Sequence, residues 1–158
     1  MYNHAPKDYK CPICLAIKGI ENDDTMIKQT DVIYKDNSIM VFIGSRFVEN
    51  NLGNIIIVPC DHYENFYDLS DEIACLIIRF AKKIAIAVKA VKKCDGISVR
   101  QNNEPASEQH AFHYHLHIYP RFINDGFHET LKNSRLPSVE ERKIYADEIR
   151  NFLKNYLL

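Results

Sequence analysis

The run His113, Tyr114, His115, Leu116, His117 constrains this chain more than any other feature. Alternation with a period of two marks a strand. Side chains at i, i+2 and i+4 share one face, roughly 6.5–7 Å apart, while Tyr114, Leu116 and Ile118 take the other. One face of such a strand belongs to a core and the other is free for chemistry. Imidazole titrates near pH 6.5, at about the neutral point, so a row of rings can supply a neutral nucleophile and an anion-binding donor at one pH. The row also suits a metal, because His-x-His on a strand offers two ligands to zinc or iron.

Residues 112–120 therefore read as a strand. Residues 31–34 and 38–43, rich in Val, Ile, Tyr and Phe, read as a hairpin around a turn at Lys35, Asp36 and Asn37. Residues 54–58 form an almost unbroken branched run closed by Pro59, which predicts a central strand covered on both faces. A further strand is predicted at 97–101, followed by a polar loop over residues 102–108. Between them a long helix is predicted from Ser70 to about Lys93, with Asp71 and Glu72 in its first turn, Lys92 and Lys93 in its last, and Gly96 beyond. A short helical turn at 15–18 ends at Gly19, and Ser138 with Glu141 reads as a capping box for a closing helix.

The long helix carries Ile73, Ile77, Phe80, Ile84, Val88 and Val91, a broader apolar surface than one core-facing stripe, which predicts burial on two sides and a homodimer interface on one of them. Strands and helices do not alternate as β-α-β units. The expected architecture is α+β: an antiparallel sheet of about five strands, one long central helix and a C-terminal helix, in a single domain over residues 1–158.

Charge excludes some functions. Twenty Lys and Arg face twenty-one Asp and Glu, so no global field draws the chain to nucleic acid or to an anionic membrane, and an anion site must be local. Residues 1–10 are polar, without the apolar core of a signal peptide, and no run of about 18 apolar residues is present to span a bilayer. A cytoplasmic address is expected. Five cysteines, an odd count, suit a reducing compartment, and among them Cys11 and Cys14 form a Cys-x-x-Cys pair.

The longer string from Gln109 through His110, Ala111, Phe112 and the three histidines to Ile118, Tyr119, Pro120 and Arg121 closely resembles the signature of the histidine-triad (HIT) family. Asn102, seven residues before Gln109, falls where that family carries a phosphate-loop asparagine. Val58, Pro59, Cys60, Asp61 and His62 resemble its strand-Pro-x-x-His element, and Cys11-Pro12-Ile13-Cys14 resembles the zinc half-site of its zinc-bearing bacterial members. The likeness spans residues 11–121, leaving 122–158 as a C-terminal helical extension.

The resemblance implies a HIT-like fold, and a nucleotide hydrolase or transferase acting on a dinucleoside polyphosphate or a nucleoside phosphoramidate, purine nucleotides favoured. Cys11, Cys14, His62 and His113 would hold a structural zinc. His115 would be the nucleophile that forms a nucleotidyl-histidine intermediate, His117 a donor to a phosphate oxygen, and Asn102 and Gln109 further neutral donors. Phe42 and Ile56 match positions that sandwich the base. The family's ribose-binding aspartate falls at Gly44, beside Ser45 as a possible substitute, and Asn54 stands where many members have a fourth histidine. Glu104 and Glu108 replace glycines of the usual phosphate loop. His110 takes the place of a small hydroxyl residue near the leaving group, and is a candidate leaving-group acid. Two rival functions stay open: a slow or inactive nucleotide-binding regulator, and a metal-dependent enzyme that uses the histidine row as ligands.

Overall fold

The computed structural model describes residues 2–156. The sheet is antiparallel throughout and built from β1 (Val32–Lys35), β2 (Ile39–Ile43), β3 (Ile55–Pro59), β4 (Gly96–Gln101) and β5 (Leu116–Arg121), in the spatial order β1-β2-β3-β5-β4. Helix α1 (Pro12–Ile17) precedes it, α2 (Asp71–Lys92) lies between β3 and β4, and α3 (Phe127–Thr130) and α4 (Val139–Tyr156) follow it. The expected α+β architecture is the observed one.

Strand alternation separates two environments. Ile39, Val41, Ile43, Ile55, Ile57, Leu116 and Ile118 face α2 and α4 and form the main core with Ile77, Ile84, Val88, Ile149 and Leu153. On the opposite face Met40, Phe42 and Val58 meet Ile13 and Ala16 of α1 and Ile27 of the segment before β1. The period of two thus gives the sheet a closed face beneath the helices and a second face only partly roofed by α1.

Helix α2 begins where the sequence predicts. The Ser70 hydroxyl accepts the Ile73 N–H at 3.3 Å, and the helix stops one residue before Lys93, whose left-handed φ of 51° ends the turn. One stripe packs on the sheet and α4, while Ile78 and Ile86 remain exposed in the single chain. At the head of α4 the Ser138 hydroxyl accepts the Glu141 N–H at 3.1 Å, as a cap should. The Glu141 carboxylate does not complete the box; it pairs with Arg135 at 2.5 Å, a charged partner being the stronger acceptor's choice. A buried ion pair, Arg142 to Asp31 at 3.0 Å, ties α4 to the segment entering β1.

The strand bearing the histidines starts later than predicted. Strand β5 begins at Leu116, and the chain from Ala111 to His115 is irregular, because the His113 N–H turns back to the Ala111 carbonyl and the Tyr114 N–H donates to the Tyr63 carbonyl at 2.6 Å. Only His117 of the three lies within the ladder.

Candidate active site

The register of the strands lays out the open face as a grid. Phe42 pairs with Ile56, Ile56 with His117, and His117 with Arg100, forming one row across four strands. These residues line a cavity of about 760 Å³ together with His115, Asn102, His110, Ser45, Gly44 and Asn54. Part of its wall comes from a region with no readable sequence signal: His128, Leu131, Lys132 and Ser134, the last fastened to Arg46, whose Nε donates to the Ser134 hydroxyl at 3.0 Å.

Two histidines sit side by side in this cavity, the rings of His115 and His117 being 5.1 Å apart and nearly perpendicular. His115 Nδ1 lies 2.7 Å from the His113 carbonyl, an acceptor only, so the proton is assigned to Nδ1 and the lone pair to Nε2. His117 stacks on Tyr119, whose hydroxyl lies 3.4 Å from Nδ1. Burial raises the Tyr119 pKa to about 12, so the phenol stays protonated beside the His117 ring. Burial, with His115 and the Arg100 charge as lesser causes, pushes His117 down to about 3, and burial lowers His115 as well. Both rings are held neutral at pH 7, and His115 offers its Nε2 lone pair.

The third histidine of the run faces elsewhere. His113, fully buried, donates from Nε2 to the Pro59 carbonyl at 3.1 Å and turns Nδ1 toward Cys11 Sγ at 3.4 Å and Cys14 Sγ at 3.5 Å, while His62 Nδ1 lies 3.3 Å from Cys14 Sγ. The four ligand atoms lie within 4.8 Å of one another. A tetrahedral zinc with bonds of about 2.3 Å to sulfur and 2.0–2.1 Å to nitrogen has N···S edges of about 3.5 Å, so the donor set fits that ion in both chemistry and size. The Pro59 carbonyl supplies the outer hydrogen bond that fixes a ligating imidazole's tautomer. The hydrogen bond between the Cys11 and Cys14 sulfurs, with His113 beside it, favours a thiolate on Cys11 and a thiol on Cys14, so the pair shares one proton.

Two expected phosphate donors are engaged in hydrogen bonds within and beside the loop. Gln109 is buried outside the cavity with both ends engaged: its Oε1 accepts the Glu104 N–H at 2.6 Å and its Nε2 donates to the Glu64 carbonyl at 2.7 Å. It staples the loop to the segment at Glu64. Asn102 lines the cavity, but its Nδ2 donates to the Ser107 carbonyl and its Oδ1 accepts from Arg100 Nε at 3.1 Å, so it too shapes the loop. Arg100, which sequence reasoning passed over, reaches the cavity beside His117 and pairs with Glu108 at 2.7 Å. Nothing in a linear pattern of β4 shows that its arginine stands opposite a histidine of β5.

The loop also explains the two glutamates. Glu104 has φ 64° and ψ 159°, and Glu108 φ 68° and ψ 32°, conformations that favour glycine. The Glu104 region is nearly glycine-only and costs a side-chain-bearing residue about 1–3 kcal/mol, against about 1 kcal/mol of extra chain entropy that glycine brings to the unfolded state. We expect Glu104→Gly to raise stability by about 1 kcal/mol, or roughly 2–4 °C in Tm, measured by thermal denaturation. A fall in Tm would mean that the Glu104 contacts with Tyr67 and His4 outweigh the strain.

Among the described residues no helix is long and apolar enough to cross a membrane. Comparison with known proteins agrees with the geometry. A HIT-domain family profile matches residues 26–124. The Bacillus subtilis protein named hit is 32% identical over 115 residues, covering 72% of this chain and 75% of its own length. An adenosine 5′-monophosphoramidase of Schizosaccharomyces pombe is 29% identical over 142 residues, 89% of this chain and 98% of its own. A zinc-bound histidine triad family protein from Mycobacterium smegmatis superposes with a TM-score of 0.71 at 22% identity, over 92% of this chain and 96% of its own. With the profile covering most of the chain and the triad, cysteine pair and strand order all in place, the protein belongs to the histidine-triad (HIT) family.

Proposed function

We propose that the chain is a nucleotide hydrolase or transferase that breaks a bond at the α-phosphorus of its substrate through a nucleotidyl intermediate on His115. The observation that carries this reading is a pair of adjacent imidazoles in one cavity, His115 with its Nε2 lone pair free and the His117 ring 5.1 Å away. His115 Nε2 attacks phosphorus, the bond to the leaving group breaks with its electron pair, and the leaving group takes a proton. His117 donates to a non-bridging oxygen, so charge that develops in the transition state meets a donor already in position. Water then adds to phosphorus, the P–N bond breaks, and the imidazole is restored. Asn102 and Gln109 act on this chemistry by holding the loop. Phe42 and Ile56 offer the apolar surface for a base, and Ser45 lies near them in the cavity. His110, exposed at the cavity wall, is the residue proposed as leaving-group acid.

Cys11, Cys14, His62 and His113 hold a structural zinc in this reading. Four protein ligands leave no position for substrate, and the ion would fasten α1 to the segment entering β5. His115 and His117 lie outside that cluster, which weighs against a metal-dependent reaction on the histidine row. The name of the fission-yeast relative supports a nucleoside phosphoramidate as substrate, with a dinucleoside polyphosphate as the other candidate. Incubation with adenosine phosphoramidate and with diadenosine tetraphosphate should release AMP from at least one, and His110→Ala should slow the poorer leaving group more. AMP binding without turnover of either would favour the nucleotide-binding regulator, a reading for which the Glu108 carboxylate at the cavity mouth is the specific argument.

The single domain and the dimer belong to the same proposal. Strand β4 is an edge strand with Val99 half exposed, and α2 leaves Ile78 and Ile86 uncovered, a surface suited to a second copy. Light scattering should return twice the 18.4 kDa chain mass, falling to that of one chain in Val99→Lys. A wild-type mass of one chain would contradict the dimer.

A further inference from the structure

Three buried side-chain oxygens among the described residues have no hydrogen-bond partner: those of Asn51, Asn54 and Asn65. Two of them belong to anchored amides. Asn51 Nδ2 donates to the Pro120 carbonyl and to Asp125, and Asn65 Nδ2 donates to the Tyr2 carbonyl and to Asp68. The Asn54 side chain has no hydrogen bond from either end, is 2% exposed, and alone of the three lines the cavity. A buried amide oxygen with no partner, on a side chain whose nitrogen is also unbonded, at the wall of a ligand-sized cavity, is an arrangement that a ligand completes.

Gly44 points the same way. Its N–H donates to the Asn54 carbonyl at 2.8 Å, and a Cβ at position 44 would lie 2.8 Å from Asn54 Cγ and 2.9 Å from Oδ1. Its φ is not in the left-handed region, so the backbone does not call for glycine here. The missing side chain is what gives the Asn54 amide its room.

The register then fixes where that amide stands. Ile55 pairs with Ile118 and Ile56 with His117, so Asn54 falls beside Tyr119, one row along from Phe42, Ile56 and His117. Diagonal neighbours on adjacent strands are about 7–8 Å apart, which puts the amide one sugar ring away from a phosphate held at His117. A primary amide can accept from one hydroxyl and donate to the next. We propose that Asn54 is the specificity-determining residue that hydrogen-bonds the vicinal hydroxyls of the nucleotide's ribose, in the space Gly44 leaves open. This rests on the nucleotide reading above. The recognition is by a neutral group, and the Gly44 and Asn54 pair acts as one unit.

Calorimetric titration of AMP and of 2′,3′-dideoxy-AMP into the full chain tests it. The wild type should bind AMP at least about tenfold more tightly than the dideoxy compound, the usual size of a hydrogen bond to a neutral group. Asn54→Ala should lose that preference by weakening AMP alone, with no fall in Tm because no hydrogen bond is removed. Gly44→Ala, which displaces the amide, should lose it too, and adding Gly44→Ala to Asn54→Ala should cost nothing more. If Asn54→Ala weakens both nucleotides equally, or keeps the preference, Asn54 does not read the sugar. If wild-type protein binds AMP and shows no preference, the proposal fails while the nucleotide reading stands; if it binds neither compound, both fail.

Discussion

His115→Ala should lower turnover by about four orders of magnitude or more while AMP still binds within a few-fold of wild type. Losing a nucleophile removes the covalent path itself, and single deletions of that kind in hydrolases cost about 10⁴-fold to 10⁶-fold in kcat. Binding should survive because the groups proposed to hold the nucleotide, His117, Asn54 and the apolar pair Phe42 and Ile56, lie on other strands or at other positions of the grid. The imidazole is part-buried and its Nδ1 bond is to a backbone carbonyl, so truncation leaves one acceptor to water and little else disturbed. Steady-state rates on the better of the two substrates, with a binding titration beside them, separate the effects. A loss under tenfold would remove His115 from the nucleophile's role.

Stripping metal from the protein should destabilise it before it silences it. Protein in which zinc is present at about 1,000 times its Kd gains about 4 kcal/mol from the ion by mass action. For a chain of this length that is roughly 8–16 °C of Tm. Cys14→Ser should produce a similar fall, since it removes one ligand of four and a sulfur that touches both imidazoles. Activity per folded molecule should be retained well below the lowered Tm, because His115 and His117 do not belong to the cluster. Scanning calorimetry before and after chelation, with assays at low temperature, gives both numbers. Immediate loss of activity with an unchanged Tm would instead support chemistry carried by the metal.

The sequence states what each segment is more readily than what it meets. The strands at 38–43 and 54–58 and the helix after Ser70 are legible because branched runs, period-two alternation and a capping serine are local signals. The Cys-x-x-Cys and the histidine run are legible as motifs. The early start assigned to the last strand misleads because alternation persists through His113 and His115 although the backbone there leaves the ladder to reach Tyr63 and Ala111. Gln109 looks like a ligand donor in the motif, and only the loop's folding shows its two ends occupied. Arg100, Tyr119 and the paired Gly44 and Asn54 acquire meaning from cross-strand register, which no single segment encodes. The wall built by His128, Leu131 and Lys132 comes from two short helical turns, too brief to show a period.

The covalent intermediate is the centre of the account. Protein mixed with adenosine phosphoramidate or diadenosine tetraphosphate, quenched within the first turnovers and digested for mass spectrometry, should carry an added AMP on the peptide containing His115, with none in His115→Ala. Turnover of the same substrates by wild-type protein with no adduct at any quench time, or with the adduct on His113, His117 or His110, would contradict it.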